Sequence, residues 1–355
     1  DLDLNQQQKV LNSYGYPMGL ADYSAFILGG LPKQGQMLEE VKDLLLNEIK
    51  KLRAGEFDEK MLQANINNFK LYELQSMESN EGRADIFVNS FINGTNWEDE
   101  VTAIDRMAKL TKEDIVAFAD KYLKEDNYAV VYKKQGKDPN EKKMTKPEIT
   151  PIVSNRDVAS PFLTSIQENA VKPIEPVFLD FKKDMSQLTA KSDIPVLYKQ
   201  NTTNDLFQLI YVFDMGNNND KALGTAFDYL EYLGTSDMTP EELKSEFYRL
   251  ACTFYVSPGN ERTYVVLSGL NENMPAAMQL FEKLLADAQV NKEAYDNLVG
   301  DILKARADAK LNQGQNFSRL MNYAMYGPKS PATNLLTEAE LASMNPQELV
   351  DRIHN

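Results

Sequence analysis

Apolar side chains recur at three-and-four spacing through LEEVKDLLLNEIKKLR (residues 38–53), where Leu38, Val41, Leu45, Ile49 and Leu52 share one stripe and Glu and Lys occupy the other face. The pattern predicts an amphipathic helix, and Gly55, just past its basic last turn, is placed to end it. Similar patterns predict helices over 58–79, 81–93, 110–123, 219–233, 240–251, 275–288 and 291 to about 312. Thr111 with Asp114, and Thr239 with Glu242 behind Pro240, have the spacing of capping boxes.

Strand patterns are shorter. SAFILGG (24–30), YAVVYKK (128–134) and IPVLYKQ (194–200) read as β runs, and TFYVS (253–257) with TYVVLSG (263–269) reads as a hairpin joined by PGNER. In DLFQLIYVFDMG (205–216), Phe207, Leu209, Tyr211 and Phe213 alternate with Leu206, Gln208, Ile210 and Val212. Both faces are largely apolar, which predicts a strand inside a sheet. Strands alternating with helices give a sheet covered on one face by helices, either α/β or α+β. From Gly136 to about Pro176 the period is lost, and prolines at 139, 147, 151, 161, 173 and 176 predict an extended interdomain linker. LTKEDIVAFADKYL (110–123) and LTEAELASMNPQELVDRI (336–353) are loosely related phrases that hint at duplication.

At 355 residues the chain suits two domains with two cores. Its 38 basic and 53 acidic residues give a formal charge of −15, which disfavours nucleic acid and anionic membrane surfaces as partners. No apolar run is long enough to span a bilayer, so membrane insertion is not expected. The opening DLDLNQQQ lacks an initiator Met and a signal-like stretch, which reads as a fragment boundary.

Cys252 is the sole cysteine and His354 the sole histidine, so disulfides and clusters of thiolate or imidazole ligands are ruled out within the chain. Cys252 falls in an amphipathic run and reads as a buried structural thiol. Arg83 reads as one half of a structural ion pair, LGGLPKQG (28–35) as a strand-to-helix turn rather than a phosphate cradle, and Met274, Met278 and Met321 as core fillers. Asn-Gly-Thr at 93–95 has the form of a glycosylation acceptor.

One helix poses a sharper question. In FDYLEYLGT (227–235), which follows a strand and the polar loop GNNND, setting Glu231 on the glutamate of an H-x-x-E-H zinc motif puts Asp228 and Tyr232 on its two histidines. Neither side chain replaces a neutral imidazole at zinc. A third ligand about seventy residues on would fall at Ile302, beside Asp301. Asp228 and Glu231 share a helix face and could together hold a hard cation, although solvated carboxylates paired with a lysine are the simpler reading.

The element order, LEYLGTSDMTPEEL after FDMG, the hairpin running into LSGLNENMPAAMQLFEKLL, and NYAMYGPKSP resemble the insulinase/pitrilysin (M16) family of zinc metallopeptidases. LGGLPKQGQMLEEV, KKLRAGEFDEKML and RADIFVNSFINGT add to the likeness. The resemblance implies an α+β fold of two domains, each a mainly antiparallel sheet with helices on one face, joined by a long Pro-rich linker. Residues 1–136 would form a C-terminal-type domain, 137–176 the linker, 177–332 an inactive N-terminal-type domain, and 333–355 the start of a further C-terminal-type domain.

In this family two bowl-shaped halves close around a peptide and one domain holds zinc. The resemblance therefore implies a non-catalytic portion that walls a chamber for peptide or unfolded polypeptide and closes on a zinc-bearing half. No cofactor is expected in this chain, with zinc in the catalytic domain of a parent peptidase and no activity from this portion alone. Glu231 aligns with the family's general base, and Phe207, Leu209, Tyr211 and Phe213 lie on the strand that faces the chamber and would touch substrate. Two alternatives compete with this reading: an inactive scaffold subunit that pairs with a separate active peptidase, and an unrelated hydrolase built on Asp228 and Glu231. Likeness to bacterial envelope peptidases points to the periplasm or cell envelope.

Overall fold

Three helices begin on the same device, a threonine whose hydroxyl accepts from the backbone N–H three residues on while an acid at the third helical position reaches back. Thr111 pairs in this way with Asp114, Thr239 with Glu242 and Thr337 with Glu340. Each box satisfies backbone N–H groups that the helix itself leaves unbonded. The related phrases at 110–123 and 336–353 thus start alike, but the second breaks at Met344 and Asn345 into two short helices.

The computed structural model describes residues 2–20, 22–137, 141–142, 144–152, 154, 156 and 158–354. Asp1 and Asn355, the outer limits of the expected domains, and Pro139 of the expected linker lie outside the described residues.

In chain order the first elements are β1 (Asn12–Gly19), β2 (Ser24–Leu31), α1 (Leu38–Ala54), α2 (Lys60–Ser76), α3 (Asn80–Asn93), α4 (Trp97–Val101), α5 (Ala103–Met107) and α6 (Lys112–Tyr122). β1 and β2 pair antiparallel from Asn12↔Leu31 to Gly19↔Ser24. Gly30 lets this ribbon lie against α1, since a Cβ there would stand 2.5 Å from Cγ1 of the buried Val41. α1 ends at Gly55, whose φ of 71° is the left-handed conformation glycine adopts without strain. Arg53 pairs with Asp120 at 2.7 Å and joins α1 to α6. Arg83 donates to the Met77 carbonyl and to Asn80, so it holds a helix start rather than the acidic partner expected of it.

Next come α7 (Pro161–Gln167), β3 (Ser186–Thr189) and β4 (Pro195–Tyr198), in a separate contact unit, Val130–Gln200. Ser160 caps α7 by accepting from the Leu163 N–H at 3.2 Å, and β3 pairs antiparallel with β4. YAVVYKK does not form a strand, and Val131 is 92% exposed. Its run of β-branched and aromatic residues favours a strand, but a strand also needs a neighbour to pair with.

The other unit joins Asp1–Ala129 to Asn201–Asn355. Its remaining elements are β5 (Leu206–Phe213), α8 (Leu223–Leu230), α9 (Pro240–Arg249), β6 (Cys252–Pro258), β7 (Thr263–Leu270), α10 (Met274–Asp287), α11 (Lys292–Ala309), α12 (Gln313–Tyr326), α13 (Glu338–Ser343) and α14 (Pro346–His354). The predicted hairpin is β6 and β7, and the strands are ordered β5-β7-β6, all antiparallel. β7 is therefore the central strand and β5 lies at an edge, contrary to the interior place its two apolar faces suggest. Phe207 and Leu209 pack on the core, whereas Ile210, Val212 and Phe213 are exposed. An apolar outer face reads the same in sequence whether or not anything covers it.

The main core lies under β6 and β7, where Tyr229, Phe281, Leu267, Leu341 and Leu349 are almost wholly buried. Cys252 is buried there, and desolvation pushes its thiol up to about 11, so it is a structural residue. Antiparallel sheets with segregated helices make the fold α+β.

Candidate functional site

The strand-to-helix turn that precedes α8 is tightly built. A Cβ on Gly216 would stand 2.4 Å from the Gly259 carbonyl, and Asn217 and Asn218 donate their N–H groups to the Gly259 and Asn260 carbonyls at 2.8 and 2.9 Å. Asp220 accepts from the Ala222 N–H and pairs with Arg352 at 2.7 Å. Leu223, Ala226, Tyr229 and Leu230 then turn inward. The Tyr229 hydroxyl donates to the Asn291 carbonyl at 2.7 Å and accepts from its N–H at 2.8 Å, and the ring meets Tyr295 edge-on at 5.7 Å.

With that face anchored, Asp228 and Glu231 reach water, whereas Tyr232, in the turn after α8, packs partly buried against the main core. α8 ends at Leu230, and Glu231 is its C-cap. Two contacts arrive from the beginning of the chain. Buried Gln6, in the helical turn Leu2–Gln6, donates its side-chain amide to the Glu231 carbonyl at 2.9 Å. Lys33, in the β2–α1 turn, stands 4.0 Å from Asp301 on α11.

The charges around this recess oppose one another. Desolvation raises Asp228 above the ordinary carboxylate value, and desolvation followed by the Asp228 charge raises Glu231, against a lowering by Lys244. Both acids keep water-exposed surface, so the penalty on each is partial. Desolvation also raises the Tyr232 phenol, reinforced by the charges of Glu231, Asp301 and Asp228. Asp301 is raised by desolvation and held back by Lys33 and Lys304, while Lys244 is lowered by desolvation and held up by Glu231.

These residues do not fit a zinc site of the H-x-x-E-H kind. Carboxyl, carboxyl and phenol stand where two imidazoles and a general base would be needed, and Ile302 has no donor atom at the third position. Ile302 instead packs partly buried against the main core. Among the described residues no three His, Cys, Asp or Glu side chains come together closely enough to hold a metal ion. Asp228 and Ile302 do line a common cavity of about 260 Å³ with Lys221 and Arg306, whereas Glu231 and Tyr232 lie outside it. Of the strand residues, Phe207 and Leu209 belong to the core wall, while Tyr211 and Phe213 reach solvent at the far end of β5.

Gln6 and Lys33 had no signal in the sequence, because their partners lie more than two hundred residues away. Lys244, one turn into α9 on its polar side, could have been found only by knowing which way α9 faces.

Solved structures similar to this chain include a peptidase M16 inactive domain from Pseudomonas fluorescens, with 15% identity and a TM-score of 0.42 over 48% of this chain and 43% of that one. The periplasmic protease PqqL from Escherichia coli is 13% identical with a TM-score of 0.42, over 99% of this chain and 41% of that one. The ferredoxin protease FusC, solved with Arabidopsis ferredoxin, is 11% identical with a TM-score of 0.43, over 99% and 41%. The chain thus spans under half the length of these solved chains. No family model matches it, and no curated protein matches it.

Proposed function

We propose that this chain is a non-catalytic portion of an M16-like zinc metallopeptidase, forming the wall of a peptide-binding chamber that closes on a zinc-bearing half. The observation that carries the reading is the end of α8, where Asp228, Glu231 and Tyr232 keep the spacing of a zinc motif with none of its imidazoles, while Ile302 fills the remaining ligand place. Glu231 is held by Lys244 and Asp301 by Lys33 and Lys304, and both acids are crowded by protein, an arrangement suited to an interface rather than to activating water. The apolar free edge of β5 offers backbone groups to which an extended peptide could add as a strand. Zinc, the peptidase activity and a periplasmic or envelope location belong to the parent protein in this reading.

Calorimetric titration with zinc should show no site tighter than micromolar, and an end-blocked unstructured peptide should bind the chain without being cleaved. A single sub-micromolar zinc site, or cleavage of a quenched fluorescent peptide that is lost in Glu231→Gln, would overturn the proposal.

A further inference from the structure

The chain carries 53 acidic against 38 basic residues, so a hollow whose charged groups are mainly cations runs against the charge of the whole molecule. Such a hollow, of about 500 Å³, lies where α11 turns into α12. Arg306 stands in the last turn of α11, Lys310 directly follows that helix, and Arg319 is two turns into α12. Asn312 fixes the turn by accepting from the Gln315 N–H at 3.0 Å, and the Asn316 amide donates to the Lys310 carbonyl at 2.8 Å. On the facing wall, buried Ser330 accepts from the Ala332 N–H at 3.2 Å, and the Thr333 hydroxyl donates to the Ser330 carbonyl at 2.7 Å. Both walls are therefore braced mainly by backbone and small polar groups.

The cations are largely unspent. Arg306 donates one N–H to the Leu336 carbonyl at 2.6 Å. Among the described residues, the side chains of Lys310 and Arg319 make neither an ion pair nor a hydrogen bond. One acid, Glu338, reaches this hollow, against three cations, and Leu303, Leu335 and Tyr323 supply an apolar lining.

We propose that this hollow receives the free carboxylate end of a peptide, with the carboxylate between Lys310 and Arg319 and the last side chain against Leu303, Leu335 and Tyr323. A guanidinium fork beside an ammonium matches a carboxylate in shape and charge. An apolar lining with a few converging polar groups is how sites for small ligands are built, and the volume suits the last residue or two of a chain. The choice of a peptide end over another organic carboxylate rests on the peptide-binding reading above, while the charge argument stands without it.

The test is calorimetric titration of the whole chain with N-acetyl-alanyl-leucine as the free acid, with its C-terminal amide, and with acetate. The acid should bind at least tenfold tighter than the amide and than acetate. Lys310→Gln combined with Arg319→Gln should erase the preference over the amide with no change in thermal unfolding, since both side chains are exposed. Equal binding of acid and amide, no binding by either, acetate binding as tightly as the acid, or a preference that survives the double substitution overturns the proposal. An end-blocked longer peptide presents no carboxylate and so probes the chamber reading alone. Acid preference in the dipeptide without binding of that longer peptide supports the hollow and counts against the chamber.

Discussion

Between Ala222 and Val350 the apolar faces of α8, α9, α10, α11 and α14 close on β6 and β7, and Leu267, Phe281 and Leu349 lose nearly all contact with water. Between Ser24 and Tyr122, helices with similar apolar content leave Phe69, Phe87, Phe91 and Trp97 largely exposed. The difference lies in what each set of helices meets. The ribbon of β1 and β2 is two strands wide and covers α1, where Val41 is buried. α2 finds its cover elsewhere: Leu71 clusters with Leu206, Ala251 and Leu270, and Asn68 donates to the Tyr248 carbonyl at 2.7 Å. α3 and α4 are left with Phe87 stacked on Trp97 at 4.7 Å and little else over them. An amphipathic pattern specifies a stripe to be buried, and the width of the neighbouring sheet decides whether burial happens.

The largest effect should therefore separate the two regions. Leu267→Ala in β7 removes a fully buried side chain from a closed core and should cost about 2–5 kcal/mol. Phe91→Ala, at a residue 88% exposed, should change stability by no more than about 0.5 kcal/mol despite the larger side chain lost. Urea denaturation of the two variants reads the contrast directly, and equal losses would mean that the faces of α3 and α4 are covered in solution.

Next in size is the anchor of α8. Tyr229→Phe keeps the ring against Tyr295 but leaves the N–H and carbonyl of Asn291 without their shared partner, at a cost of about 1–3 kcal/mol. Thermal unfolding should register this loss, whereas Tyr211→Phe on exposed β5 should be neutral.

Much of this was legible in the sequence where the cause was local. The helix stripes, the boxes at Thr111 and Thr239, the stop at Gly55 and the hairpin of β6 and β7 depend on residues a few positions apart, and each appears where its pattern put it. Strand order does not depend on such residues. The apolar alternation in β5 was readable, but its edge position is set by β7 taking β6 as its second neighbour. β1 went unseen because NSYGYPMG contains two glycines and a proline, which weaken a strand pattern that pairing with β2 nevertheless completes. In the candidate site the spacing from Asp228 to Tyr232 was visible, and the contacts of Gln6 and Lys33 were not.

A smaller effect tests whether the start of the chain and the closed core act on each other at that site. Gln6→Ala removes the amide that meets the Glu231 carbonyl and should cost about 1 kcal/mol. Hydrogen exchange should rise at the end of α8 and along Leu2–Gln6 together. A rise confined to the first segment would show that it rests on α8 without stabilising it.

The smallest effect is one of pH, and its sign distinguishes Asp228 and Glu231 from Glu340 on α13. Asp228 and Glu231 have folded values raised above those of the unfolded chain, so between the two values the folded form binds more protons, and stability falls as pH rises through that window. Glu340 behaves oppositely. Its bond to Lys221 at 2.5 Å, with further help from Thr337, holds it at about 2 against an ordinary 4.5, so its contribution is present above that ordinary value and is lost as pH falls towards 2. Melting curves from pH 3 to 7 should then show Asp228→Asn with Glu231→Gln gaining stability towards neutral pH, where the native carboxylates repel. Glu340→Gln should lose stability at neutral pH, by a deficit that shrinks as pH falls towards 2. If instead the α8 pair lost stability at neutral pH, the lysines around it would outweigh the crowding, and the recess would be a closed ion-pair network rather than a surface left waiting for a partner.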